Sequence, residues 1–303
     1  MQRFKDQFHA MGTLCEVEIF ARDVTHAGVA FAQVRQDVKR LESRYSRYLE
    51  TSELSAINHV AAQGGAIEVD DETASLLNYA QACFDQSGGL FDVTSGILRR
   101  AWNFHIGCLP EQAAIDQLLV HVGWNKLSWR APYLRFASAG QEIDLGGIVK
   151  EYAADRAGSL CRAVDIRHGY VNLGGDLTVI GPQPDGSPWQ IGIRHPRNPN
   201  MLMTTLALAS GAVASSGDYE RCIVVGGVRY GHILNPRTGW PVRAIAAVTV
   251  QAPMCVVAGS LATIAMLKEH DGPLWLAEID LPCIWMSING EVGGWSMPDH
   301  KAP

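Results

Sequence analysis

Along this chain, apolar and polar positions change period several times, and each change marks an element. In residues 11–21, Leu14, Glu16 and Glu18 alternate with Cys15, Val17 and Ile19, the period of two expected of a half-buried strand. Between residues 27 and 45, Val29, Phe31, Val34, Val38 and Leu41 recur at helical spacing and predict a long helix. Ser52 with Glu53 and Ser55 reads as a helix entry. Residues 67–69 form a short strand pattern, and residues 70–86 a second helix capped by Asp70 or Asp71. Residues 118–129 read as a helix end, a turn and a strand. Ile148, Tyr152, Ala153, Ala157 and Leu160 then predict a helix opening at Asp144-Leu145-Gly146-Gly147.

The second half is richer in strands. Residues 169–172 lead into a second glycine corner, Asn172-Leu173-Gly174-Gly175-Asp176. Strands are predicted at 177–181 and 189–194, joined by the turn Pro184-Asp185-Gly186, and then at 202–209 and 212–216. Residues 223–225 and 228–231 flank Gly226-Gly227, a hairpin signal. A strand at 246–251, an apolar helix at 256–268 and a last strand near 284–288 complete the reading. Strands and helices do not alternate throughout, and several hairpins are adjacent. This predicts an α+β fold with largely antiparallel sheets and packed helices. No GxGxxG opens a helix after a first strand, so a Rossmann dinucleotide site has no support. No linker or repeat divides residues 1–303, which read as one domain, or as two subdomains with a ligand cleft between them.

Composition narrows the function classes. With 303 residues, 47% of them hydrophobic and 18% charged, the chain can bury a large core. A net charge of −6 leaves no basic footprint for nucleic acid. Seven cysteines without a CxxC pair suit reduced thiols better than a disulfide framework or a zinc site. Cys15 reads as a buried strand cysteine. The first residues lack an apolar export segment and no run approaches a membrane span, so a cytoplasmic location is expected.

The two Leu-Gly-Gly corners are candidate ligand sites. Paired glycines let backbone N–H groups approach a phosphate, although such turns also serve as plain connections. Taken in order, a larger set of motifs resembles the ApbE family, the FAD:protein FMN transferases, over about residues 10 to 270. The set comprises Met11-Gly12-Thr13, the serine-rich stretch 46–58, Gly89-Leu90-Phe91-Asp92, Asp144 to Ile148 and Tyr152-Ala153-Ala154-Asp155. It continues with Asn172 to Asp176, Ser216 to Arg221, His232 to Gly239 and Leu261-Ala262-Thr263.

The resemblance implies an ApbE-like, T-fold-related architecture. It also implies cleavage of FAD between its phosphates, with AMP released and FMN placed on a threonine hydroxyl of an acceptor protein. His232 would be the general base or would orient that hydroxyl. Met11, Ser46, Asp92, Asp144, Lys150, Asn172, Gly174, Gly175, Asp176, Ser216, Asp218 and Arg221 would contact the cofactor. Plain packing also accounts for Met11, and an ion pair within the turn for Asp218 and Arg221. Mg²⁺ would be held through Thr263, Val149 and Glu151.

The sequence departs from the family pattern at the metal. Members usually carry an aspartate where Gly259 stands and a glycine where Glu151 stands. Glu151 would either return a carboxylate to the metal or form a surface salt bridge with Lys150 or Arg156. Val93 and Ile97 replace frequent prolines, and Asn235 a frequent aspartate. Three readings follow: a flavin transferase, a flavin-binding protein of the same fold without transferase activity, and a scaffold that binds no flavin. Retention of His232, Thr263 and both glycine corners speaks against the third.

Overall fold

The alternation in residues 11–21 becomes an interior strand of a large sheet. The computed structural model describes residues 1–104 and 107–295. Its first half contains β1 (Gln2–Ala10), β2 (Thr13–Ala21), α1 (Val24–Tyr45), α2 (Glu53–Gln63), β3 (Gly65–Glu68) and α3 (Asp71–Ser87). A 3-10 helix (Val93–Arg100) follows, then α4 (Gln112–Leu119), β4 (Leu127–Arg130), β5 (Tyr133–Phe136) and α5 (Val149–Ala163). The second half contains β6 (His168–Leu173), β7 (Asp176–Gly181), β8 (Trp189–Arg194), β9 (Leu202–Leu208), β10 (Gly211–Gly217), β11 (Cys222–Val225) and β12 (Val228–Gly231). It ends with β13 (Ile245–Ala252), α6 (Cys255–Leu267), α7 (Gly272–Ile279), β14 (Cys283–Ser287) and β15 (Val292–Trp295).

Eight strands form one sheet in the order β1-β2-β6-β7-β10-β13-β14-β15, with every pairing antiparallel. The fold is α+β. Three smaller sheets pair β3-β5-β4, β8-β9 and β11-β12. Side chains alternate across the large sheet. On β7, Leu177 and Val179 join Trp189, Leu206 and Leu208 under the β8-β9 pair, whereas Ile180 joins the main core on the helix side. Covered on both faces, β7 and β13 are buried nearly throughout.

Three features of the sheets lie beyond the sequence pattern. Strand β1 was not legible as a strand: its charged residues sit on an exposed sheet edge, where charge discourages pairing with another chain. Strands β7 and β8 do not pair with each other, although Gln183 and Ser187 close the predicted turn between them. Strands β9 and β10 likewise belong to different sheets. Helix caps follow the sequence more closely. Asp70 accepts the Thr73 N–H at 2.9 Å, and Ser52 accepts the Ser55 N–H at 2.9 Å.

Helix α6 is apolar on all sides and buried along nearly its whole length. It has no cap from its own N-terminal residue. Asp155 of α5 supplies one, accepting N–H bonds from Cys255 at 2.8 Å and Val256 at 3.0 Å, and a hydroxyl bond from Thr178 at 3.0 Å. No helix among the described residues is long and apolar enough to cross a membrane.

Candidate functional site

The two turns that carry Met11 and Gly174 are seated on each other. Met11 and Gly12 connect β1 to β2 with φ of 53° and 72°. The Met11 backbone is held in this uncommon region by its N–H bond to Glu42 Oε1 at 2.5 Å. On the facing corner, the Gly174 N–H donates to the Leu14 carbonyl at 3.1 Å. Gly174 has φ of 66°, and a Cβ there would overlap Thr13 Oγ1, so both conformation and contact require glycine. Asn172 closes the corner by accepting the Gly175 N–H at 2.8 Å.

Beneath this corner lies a compact charged group. Asp176 begins β7 and is 2% exposed; the Lys150 ammonium from the first turn of α5 contacts its carboxylate. Burial alone would lower the Lys150 pKa, but Asp176 and Glu151 outweigh it and hold the ammonium charged. Burial raises Asp176, against the pull of Lys150. Glu151, 8% exposed, is not at the surface and makes neither anticipated salt bridge. Lys150 goes to Asp176, and Arg156 to Asp37 and Glu72. Burial pushes the Glu151 carboxyl up to about 7, with the Asp176 charge adding and Lys150 opposing.

Glu151 lies against Gly259 of α6. A Cβ at Gly259 would stand 2.6 Å from Glu151 Cγ and 2.9 Å from Oε1. Glu151 Oε2 is buried without a hydrogen-bond partner. One helical turn beyond Gly259, Thr263 shares a 2.7 Å hydroxyl hydrogen bond with Ser216 of β10. Among the described residues no three His, Cys, Asp or Glu side chains form a metal cluster. A hard cation here would draw on one carboxylate together with hydroxyl and carbonyl oxygens. Such a donor set suits Mg²⁺, which keeps several waters and takes substrate phosphate oxygens as further ligands. The orphaned Glu151 oxygen, on a side chain that occupies the place a Cβ of Gly259 would take, fits that role, with Val149 at the start of the same helix and Thr263 one turn beyond Gly259 on α6.

The β11-β12 hairpin carries the remaining groups. Arg221 immediately precedes β11 and His232 immediately follows β12, flanking the paired residues Cys222 and Gly231. Asp218 does not pair with Arg221. It is 5% exposed and receives both guanidinium nitrogens of Arg197, at 2.6 and 2.7 Å. Arg221 is exposed and, among the described residues, has no carboxylate partner. Its Nη2 lies 3.7 Å from where a Cβ of Gly12 would stand, which places the cation at the Met11-Gly12 corner. His232 is exposed. Desolvation by the protein atoms around it lowers its pKa below the ordinary histidine value, and the charge of Arg221 acts in the same direction. The imidazole is therefore neutral near pH 7 and able to accept a proton.

Three other predicted residues have their polar atoms taken up locally. Asp92 accepts from the Thr94 N–H at 2.8 Å, the Thr94 hydroxyl at 2.6 Å and the Trp124 N–H at 2.9 Å. Asp144 accepts the Gly146 N–H at 2.9 Å and contacts Arg47. Ser46 accepts the Tyr48 N–H at 3.2 Å. Asp92 and Asp144 belong to adjoining segments, joined by the Asp144 N–H bond to the Val93 carbonyl at 2.8 Å. Four residues that support the site went unassigned in the sequence: Glu42, Arg47, Asp155 and Arg197. Asp155 and Arg47 lay within recognised motifs, Tyr152 to Asp155 and the serine-rich stretch 46–58, and Glu42 and Arg197 within none. A surface cavity of about 430 Å³ is lined by Thr204, Leu206, Thr249 and Cys283 among others, and by none of the candidate residues.

The ApbE family profile matches residues 11–285. The FAD:protein FMN transferase of Rhodobacter capsulatus is 27% identical over 303 residues, 98% of this chain and 57% of that protein. The corresponding protein of Treponema pallidum is 30% identical over 283 residues, 86% of this chain and 77% of its own. The chain thus spans little more than half the length of the Rhodobacter relative. The crystal structure of the ApbE protein from Thermotoga maritima matches with a TM-score of 0.88 at 32% identity, covering 97% of each chain. The solved structure of the flavin transferase ApbE from Vibrio cholerae, 23% identical, shares the fold with a TM-score of 0.86 over 97% of this chain and 98% of its own.

Proposed function

The chain belongs to the ApbE family, and from that premise we propose that it is a FAD:protein FMN transferase, acting on a threonine hydroxyl of an acceptor protein. The observation that carries this reading is Arg221, a cation with no carboxylate partner among the described residues, next to a deprotonation-prone His232 and the Met11-Gly12 corner. An unpaired guanidinium suits a pyrophosphate, and a neutral imidazole suits removal of a hydroxyl proton.

The reaction joins the acceptor oxygen to the flavin-side phosphorus. The bond from that phosphorus to the bridging oxygen breaks, and AMP leaves. His232 takes the hydroxyl proton. Arg221 holds the phosphate charge, and the exposed backbone of Gly174 and Gly175 lets the substrate approach closely. Lys150 stays charged against Asp176 at the base of the site. A divalent cation, when bound, supplies further neutralisation of the pyrophosphate. Glu151 and Thr263 would hold it, with Val149 beside them.

Incubation of the purified protein with FAD, with and without Mg²⁺, followed by chromatography of the small molecules, tests the reading. Metal-dependent appearance of AMP and FMN, water standing in for the acceptor hydroxyl, is expected. Intact protein-bound FAD after long incubation would replace it with the alternative, a flavin-binding protein without transfer.

A further inference from the structure

Helices α5 and α6 run against each other in opposite directions, and contacts at two levels fix their register. At one level Asp155 caps the first turn of α6 through Cys255 and Val256, at 2.8 and 3.0 Å. One turn earlier on α5 is Glu151; one turn later on α6 is Gly259. The cap therefore brings the glutamate opposite the glycine, where its Cγ and Oε1 fill the volume that a side chain on α6 would need.

The Glu151 carboxylate is the uncommitted one of the two in this group. Asp176 Oδ2 and Glu151 Oε2 are both buried without a hydrogen bond, but Asp176 has the Lys150 ammonium in ion-pair contact, whereas Glu151, 8% exposed, has no ion pair among the described residues. A carboxylate buried in this way needs a counter-charge or a proton. Thr263 is on α6, the helix packed against Glu151, and its hydroxyl is hydrogen-bonded to that of Ser216 on β10.

We propose that Glu151 reaches across from α5 into the space left by Gly259 and supplies the carboxylate for a divalent cation, with Asp155 as the positioning residue that sets it there. The ligand is thus transposed from one helix to its neighbour while its charge stays in the same place. The proposal rests on the flavin-transferase reading of the site.

The test is Mn²⁺ alone, titrated into the 303-residue chain without FAD and followed by electron paramagnetic resonance. Wild type should bind the ion at one site. Glu151→Gln, which keeps the shape and removes the charge, should weaken binding at least about tenfold. The double variant Glu151→Gly with Gly259→Asp moves the carboxylate onto α6 and should restore binding. Gly259→Asp alone places its Cβ against Glu151 Cγ and should not tighten it.

Absence of Mn²⁺ binding by wild type would overturn the proposal, as would unchanged affinity in Glu151→Gln. The double variant keeps the question answerable if the single one folds poorly: affinity restored supports transposition, affinity lost refutes it. The two readings fail separately. Glu151-dependent Mn²⁺ binding without FAD cleavage would leave the cation site and remove the transferase. Metal-dependent FAD cleavage with unchanged Mn²⁺ affinity in Glu151→Gln would do the reverse.

Discussion

Replacing Asp155 by alanine removes the carboxylate that closes the first turn of α6 and leaves two N–H groups and the Thr178 hydroxyl without their acceptor. Loss of a helix cap costs about 0.5–2 kcal/mol. An N–H left unsatisfied in a partly buried place adds about 1–3 kcal/mol. Burial raises the Asp155 pKa against its three hydrogen bonds, so part of their gain is already offset by the cost of enclosing the charge. A net loss of about 2–4 kcal/mol is therefore expected. At roughly 2 °C per kcal/mol for a chain of this size, the melting temperature should fall by about 4–8 °C. Asparagine retains one carbonyl oxygen but turns an amide toward an N–H, so Asp155→Asn should lose about half as much. Thermal unfolding followed by circular dichroism gives the stability, and Mn²⁺ affinity gives the register. Both should fall in Asp155→Ala. A change under about 1 °C would refute the capping argument. A large drop in stability with unaltered Mn²⁺ affinity would refute the claim that the cap positions Glu151.

Arg221→Ala should raise KM for FAD about 10- to 100-fold, the worth of one charge-assisted contact to phosphate; an unchanged KM would remove Arg221 as the phosphate anchor. The pH profile of kcat/KM should turn down on the acid side at a pH below the ordinary histidine value, because desolvation by neighbouring atoms and Arg221 both favour the neutral imidazole. Arg221→Ala should move that limb to higher pH, since a neighbouring positive charge has been taken away. His232→Asn should lower kcat by about 10²- to 10⁴-fold and abolish the limb. An acid limb that survives in His232→Asn would assign the titration to another group.

Local signals in the sequence led to the right elements where one segment is enough to decide. The Gly226-Gly227 hairpin, the Asp70 and Ser52 caps and the helix after the first glycine corner all appear near the expected residues. Motif resemblance led to the family and to both corners. Partnerships across the chain were not legible. Asp218 pairs with an arginine 21 residues earlier rather than with its neighbour Arg221, and Asp155 caps a helix 100 residues later. Nothing in local periodicity encodes either contact. Glu151 shows the limit most clearly: an acidic residue in the first turn of a helix is explained by the helix dipole alone. Only the packing of α5 on α6 reveals that its carboxylate fills the gap at Gly259.

The short β11-β12 hairpin has a further consequence. Arg221 and His232 flank its open end, joined to each other through the last residue pair, Cys222 and Gly231. The two groups proposed as phosphate anchor and base are therefore spaced by a single strand pair at the root of the hairpin. In the proposed reaction, a substitution that disturbs this pair should alter grip on the substrate and proton transfer together, rather than one without the other.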